Sequence, residues 1–161
     1  MIVPRYYENL NILHDGTMPA RAYYIPASKR MEQLAEHREE SDRMQILNGD
    51  WKFRYFASIY DVADKFYMPG YDTSDFDVLK VPGVWQMAGY DAPQYTNVRY
   101  PFPFDPPYVP QDIPCGAYLY DFDYQMNERA PKAYLNFEGV DACFYVWLNG
   151  VYIGYSQVSH A

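Results

Sequence analysis

The sequence predicts an all-β fold, an antiparallel sandwich, and three observations carry that expectation. Apolar and polar residues alternate over short stretches, the period of a strand with one face on a core. Aromatic side chains, which suit a pleated surface, make up 19% of the 161 residues, with 19 Tyr, 9 Phe and 3 Trp. Asn-Gly and Pro-Gly pairs separate the stretches as turns.

Residues 1–27 show no period, and Pro4, Pro19 and Pro26 interrupt every pattern, so they read as an irregular arm laid on another surface. Residues 28–44 are the one helical candidate. Ser28 is placed to cap it, and Met31, Leu34 and Ala35 fall at i, i+3 and i+4. Its many charges read as a wet face. The arm with this possible short helix is assigned to residues 1–44, and the sandwich to 45–161.

Asn48-Gly49 opens the sandwich as a turn, and Trp51, Phe53 and Tyr55 then alternate with Lys52 and Arg54 as a half-buried strand. Residues 76–81 give a second strand, ending at Pro82-Gly83. In 117–125, Tyr118, Tyr120, Phe122 and Tyr124 fall on one face, with Asp121 and Asp123 on the other. Residues 133–138 repeat the theme. Strands at 142–148 and 151–155 flank Asn149-Gly150, the pair best suited to a two-residue hairpin because both of its positions need positive φ. Five or six strands are fewer than the seven or eight of a usual sandwich, so the expectation is a fragment lacking its last strands.

Residues 82–116 stand apart. They hold eight prolines and several rings, too long for an ordinary connection and too aromatic for a disordered one. Long ordered loops often carry function, and proline lowers the cost of ordering them. A rigid cover over a sheet edge explains the same composition.

Charge excludes several classes. Thirteen Lys and Arg against 21 Asp and Glu give a net charge of −8. A chain this acidic repels phosphate backbones and anionic membrane surfaces, so neither nucleic acid nor membrane is an expected partner. No apolar run approaches the roughly 20 residues that span a bilayer. The N-terminus lacks the pattern of a secretory signal, and two cysteines are too few for a disulfide scaffold; a cytoplasmic location is expected.

No self-sufficient catalytic motif is present. Asp121 and Asp123 sit about 7 Å apart, as any i, i+2 pair on a strand does, and that distance overlaps the carboxylate spacing of sugar hydrolases. A solvated face explains them better. Glu138 and Asp141 flank Gly139 at a strand end, where a turn role suits Asp141. His14, His37 and His160 share no ligand spacing, so no metal site is expected from them. Cys143, within a strand, reads as core. A sugar can still stack on rings while amides grip its hydroxyls. Asn97, among Tyr95, Tyr100 and Phe102, has that chemistry, because its amide both donates and accepts. A loop-fixing hydrogen bond to backbone is the other reading of Asn97.

Residues 81–122, VPGVWQMAGYDAPQYTNVRYPFPFDPPYVPQDIPCGAYLYDF, closely resemble the N-terminal domain of glycoside hydrolase family 2 β-galactosidases. So do LNGDWKFRY at 47–55 and LNFEGVDACFYVWLNGVYIGYSQ at 135–157, with YYENL at 6–10 matching in part. The VP-x-x-W and VWLNG elements are shared across the family; YTN-x-x-YPF is similar to the galactosidase branch. The resemblance implies a galactose-binding-like jelly-roll, followed in the family by an immunoglobulin-like domain and a catalytic α/β barrel that bears both working glutamates. It therefore implies no catalytic residue here, and implies that Asn97 reaches the galactose pocket. It implies magnesium and sodium in the parent enzyme rather than in this chain. A structural arm magnesium of some members would use Asn9 and Gln157, but Tyr6 stands where that motif has an acid, which removes charge a hard dication needs. The implied partners are a galactoside, the remaining domains and further copies of the enzyme. A free-standing carbohydrate-binding module is the alternative.

Overall fold

The computed structural model describes residues 3–158; His160 lies outside them. Six strands form two three-stranded antiparallel sheets, and the described residues contain no α-helix. The strands are β1 (His14–Asp15), β2 (Gly49–Phe56), β3 (Asp77–Val81), β4 (Cys115–Leu119), β5 (Cys143–Leu148) and β6 (Val151–Gln157). One sheet runs β1-β6-β5 and the other β3-β2-β4. The expected all-β sandwich is what the chain builds.

Phe56, Val62, Phe66 and Ala117 form the core between the sheets, with Trp147 of β5 and Leu119 of β4 packed against it. Tyr67 lies flat on Trp147 at 4.5 Å, and Phe66 meets the same ring edge-on at 5.9 Å. The connection between β2 and β3 thus packs its rings on β5, each contributing a large apolar area.

The hairpin of β5 and β6 forms as the Asn-Gly pair dictates. Asn149 has φ 51° and Gly150 φ 81°, and Leu148 pairs with Val151. A bulge follows, since Val146 pairs with Gly154 and Trp147 with Tyr152.

Three expectations need correction. Residues 28–44 fold as turns, with only a single 3₁₀ turn at Arg38–Glu40. Gln33 sits at φ 54°, which breaks helical progression, and the Ser28 N–H donates to Asp42 rather than Ser28 capping a helix. A short, charged segment gains too little from one apolar stripe to nucleate a helix alone. Second, residues 133–138 form no strand and the stretch 117–125 is a strand only to Leu119. Alternation sets which way side chains point, but a ladder needs a neighbour, and the described chain supplies none. Third, β2 is half-buried as expected where Lys52 stays exposed, but its end is covered on both faces. Phe56 enters the core, while Phe53, fully buried, lies under Trp85 and Tyr90 of the long loop. Gly116 lets this cover close: a Cβ there would fall 2.6 Å from Trp85 Cζ3 and 2.8 Å from Phe53 Cε2.

The arm takes part in a sheet, which nothing in its sequence announces. β1 pairs with β6, His14 opposite Ser156 and Asp15 opposite Tyr155. Tyr6 packs edge-on against the buried Tyr155 at 5.4 Å.

Candidate functional site

The long loop is anchored at both ends and free in the middle. At its start, residues Trp85–Ala88 make a 3₁₀ turn that Gly89 ends in the left-handed region. This turn sets Trp85 and Tyr90 on Phe53, with ring centroids at 6.1 and 4.9 Å, and Tyr90 Oη donates to Asp77 at 2.7 Å. At its end, Ser58 Oγ donates to the Gln111 carbonyl at 2.6 Å and the Ile59 N–H to the Ile113 carbonyl at 3.1 Å. The Val109 N–H donates to Glu8 Oε1 at 3.3 Å, which ties the loop to the arm.

Between these anchors the loop presents rings to solvent, with Phe104 93% exposed. The N–H groups of Val98 and Arg99 both donate to the Tyr95 carbonyl at 3.2 Å, closing a tight turn around Asn97. An open cleft of about 690 Å³ lies beside that turn, lined by Gln94, Tyr95, Arg99, Tyr100 and Phe102 among others. Tyr100 and Phe102 meet edge to face at 6.0 Å. Asn97 is exposed at the turn, outside the cleft lining, and its side chain makes no hydrogen bond among the described residues. Nothing in its surroundings serves the loop-fixing reading.

The other sequence-derived candidates lie elsewhere. Gln157, at the end of β6, turns its amide nitrogen into the arm and donates to the carbonyls of Ile12 (2.9 Å), Asn9 (3.4 Å) and Tyr6 (3.5 Å). Asn9 Oδ1 accepts from the Asn11 N–H at 3.0 Å. Magnesium is held by carboxylates and neutral oxygens together. Here the Gln157 amide faces the carbonyls and, among the described residues, no carboxylate joins Asn9 and Gln157; in this arrangement the set acts as a clasp. Asp121 is an exposed carboxylate 3.8 Å from Lys52, as a wet face requires. Cys143 opens β5 half-buried, and burial pushes its thiol up; the same cause, with Cys143 nearby, pushes the Cys115 thiol up to about 11. Such thiols are poor nucleophiles at neutral pH.

One side-chain cluster was not legible in the sequence. Arg38 grips Glu138 with contacts of 2.6 and 2.7 Å, and Tyr23 Oη donates to the same carboxylate at 2.9 Å. These hydrogen bonds hold the Glu138 carboxyl below the usual carboxylate range. The three residues are distant in sequence and carry no motif, so only the folded chain brings them together. They pin the arm to the segment before β5.

The family model described as "Glycosyl hydrolases family 2, sugar binding domain" matches residues 44–161, most of the chain. This chain belongs to the sugar binding domain of glycosyl hydrolases family 2. Among curated proteins, the family 2 chain is similar to a β-galactosidase of Actinobacillus pleuropneumoniae, 42% identical over 160 residues, covering 99% of this chain and 15% of that protein. It is likewise 42% identical over 162 residues to a β-galactosidase of Staphylococcus xylosus, covering 100% of this chain and 16% of that protein. A Priestia megaterium β-galactosidase is 34% identical over 161 residues, with 97% of this chain and 16% of that protein covered. The family 2 chain thus spans about 15% of the length of the curated relatives it matches. No helix among the described residues is long and apolar enough to cross a membrane.

Proposed function

We propose that this chain is the N-terminal sugar-binding domain of a β-galactosidase that hydrolyses terminal β-D-galactosides with retention, and that it walls one side of the galactose pocket. The observation that carries the reading is the free amide of Asn97, held out on an aromatic loop beside an open cleft. An uncommitted amide offers a donor and an acceptor to adjacent sugar hydroxyls, while rings receive the apolar face of a pyranose. Proline and the two anchored limbs order the loop in advance, so little freedom is left to lose on binding.

The reacting carboxyls belong to polypeptide outside this chain. One glutamic acid protonates the leaving glycosidic oxygen while the second carboxylate attacks the anomeric carbon. Water then resolves the galactosyl-enzyme, with the first residue now taking its proton. Magnesium and sodium belong to that same remainder. The enzyme is cytoplasmic and assembles as a homo-oligomer, and the arm, clasped by Gln157 and Glu138, helps present the domain to its neighbours.

In the full-length polypeptide, Asn97→Ala lowers kcat/KM for a chromogenic β-galactoside by one to two powers of ten. That corresponds to roughly 1.4–2.8 kcal/mol, the worth of a strong hydrogen bond to substrate. An unchanged kcat/KM removes Asn97 from the pocket. The isolated chain turns over no galactoside; galactose binding to it at millimolar concentration or tighter by calorimetry favours the free-standing module instead.

A further inference from the structure

A continuous series of rings runs along β5 and β6. Tyr67 lies on Trp147 at 4.5 Å and 7°. Trp147 meets Tyr145 at 6.2 Å and Tyr152 at 6.0 Å, and Tyr145 meets the buried Tyr155 at 4.6 Å. Rings in such contact exchange single electrons. An indole gives up an electron without first losing a proton. A phenol is protonated at neutral pH, so it gives up an electron only where a base takes its proton. The acceptor at each tyrosine hydroxyl therefore decides where an oxidising equivalent in this cluster comes to rest.

Tyr145 Oη donates to the Pro4 carbonyl at 2.6 Å, and an amide carbonyl is too weak a base to keep a proton. Tyr155 Oη is buried beside the Cys143 thiol, with no carbonyl or carboxylate at hydrogen-bond distance among the described residues. Tyr152 differs. Its Oη donates to Asp15 Oδ2 at 2.8 Å, within reach of direct proton transfer. Its side chain is also 38% exposed, open to a reductant in solution. We propose that Trp147, Tyr152 and Asp15 form a relay that carries oxidising equivalents from the ring cluster to the surface. A one-electron oxidant of the carbonate-radical class takes an electron from the Trp147 indole. Tyr152 returns an electron to Trp147 while its Oη proton passes to Asp15 Oδ2, which leaves a neutral tyrosyl radical. A soluble thiol gives that radical a hydrogen atom, and Asp15 releases its proton to water. The net change is oxidant and thiol converted to reduced oxidant, thiyl radical and a proton, with the protein restored.

The test exposes the full-length polypeptide briefly to photogenerated tris(bipyridine)ruthenium(III), a one-electron oxidant, and maps oxidised tryptophan by peptide mass spectrometry. Tyr152→Phe removes the proton donor and Asp15→Asn removes the base. Each raises oxidation at Trp147 roughly threefold or more, because the hole can no longer leave. Trp51 and Trp85, which make no ring contact with Trp147 or Tyr152 among the described residues, serve as internal controls and do not change. Amide exchange at 143–148 shows whether either variant loosens β5; where it does, a nitroso spin trap on the parent decides, with its adduct expected on Tyr152. Unchanged damage at Trp147 in both variants, or an equal rise at all three tryptophans, overturns the proposal. So does an adduct on Tyr145 or Cys143 in place of Tyr152. No galactoside is involved, so failure here leaves the Asn97 test standing, and the reverse holds too.

Discussion

Phe53→Ala tests whether β2 carries the functional loop. Phe53 is fully buried, and three rings surround it: Tyr118 at 4.7 Å, Tyr90 at 4.9 Å and Trp85 at 6.1 Å. Truncating a buried Phe to Ala costs about 3–5 kcal/mol in transfer and cavity terms. Each lost aromatic pair contributes a further ~0.5–1.5 kcal/mol, part of which relaxation recovers. Two of the three rings belong to the first limb of the loop, so the cavity lies beneath Trp85 and Tyr90. The cost therefore falls on the attachment of the loop as well as on the global fold. The conservative change Phe53→Leu retains most of the volume and costs roughly 1–2 kcal/mol. Urea unfolding followed by Trp fluorescence measures the global term; hydrogen exchange at 85–100 measures the local one. For a domain of this size, 3–5 kcal/mol lowers Tm by roughly 6–20 °C. An Ala variant within about 1 kcal/mol of the parent refutes the packing argument. Unchanged exchange in the loop refutes the claim that β2 anchors it.

Glu138→Gln weakens the contact to Arg38 and makes the arm more sensitive to trypsin at neutral pH. In the parent the Glu138 carboxyl lies below its ordinary 4.5, so the grip is complete above that pH and is lost as pH falls through the depressed folded value. Arm proteolysis by an acid-active protease that rises below pH 4.5 in the parent, but stays flat in the Gln variant, is the expected profile; parallel profiles count against it. Gly150→Ala forces a Cβ into φ 81° and to 3.0 Å from Met68 Sδ, costing about 1–2 kcal/mol by chemical denaturation; a neutral result removes the turn argument. Cys115, with its thiol pushed up to about 11, alkylates at pH 8 roughly two orders of magnitude more slowly than a free cysteine. Iodoacetamide labelling at the rate of free cysteine contradicts its burial.

The Asn149-Gly150 hairpin, the alternation of β2 and the aromatic loop were all legible in the sequence, because each rests on local rules of φ preference and side-chain direction. So was the class of the chain, through motifs such as YTN-x-x-YPF whose residues stay contiguous. What the sequence by itself determined is therefore an all-β sandwich bearing a proline-rich aromatic loop that includes Asn97. Tertiary structure alone decided which alternating stretches became strands, because 120–124 and 133–138 have the pattern but no ladder partner in the described chain. It also decided that the arm joins a sheet through His14–Asp15, that Trp85 and Tyr90 roof Phe53, and that Arg38 and Tyr23 converge on Glu138. Hydrogen-bonded ladders, ring stacks and ion pairs join residues far apart along the chain, and no local pattern encodes a partner a hundred positions away.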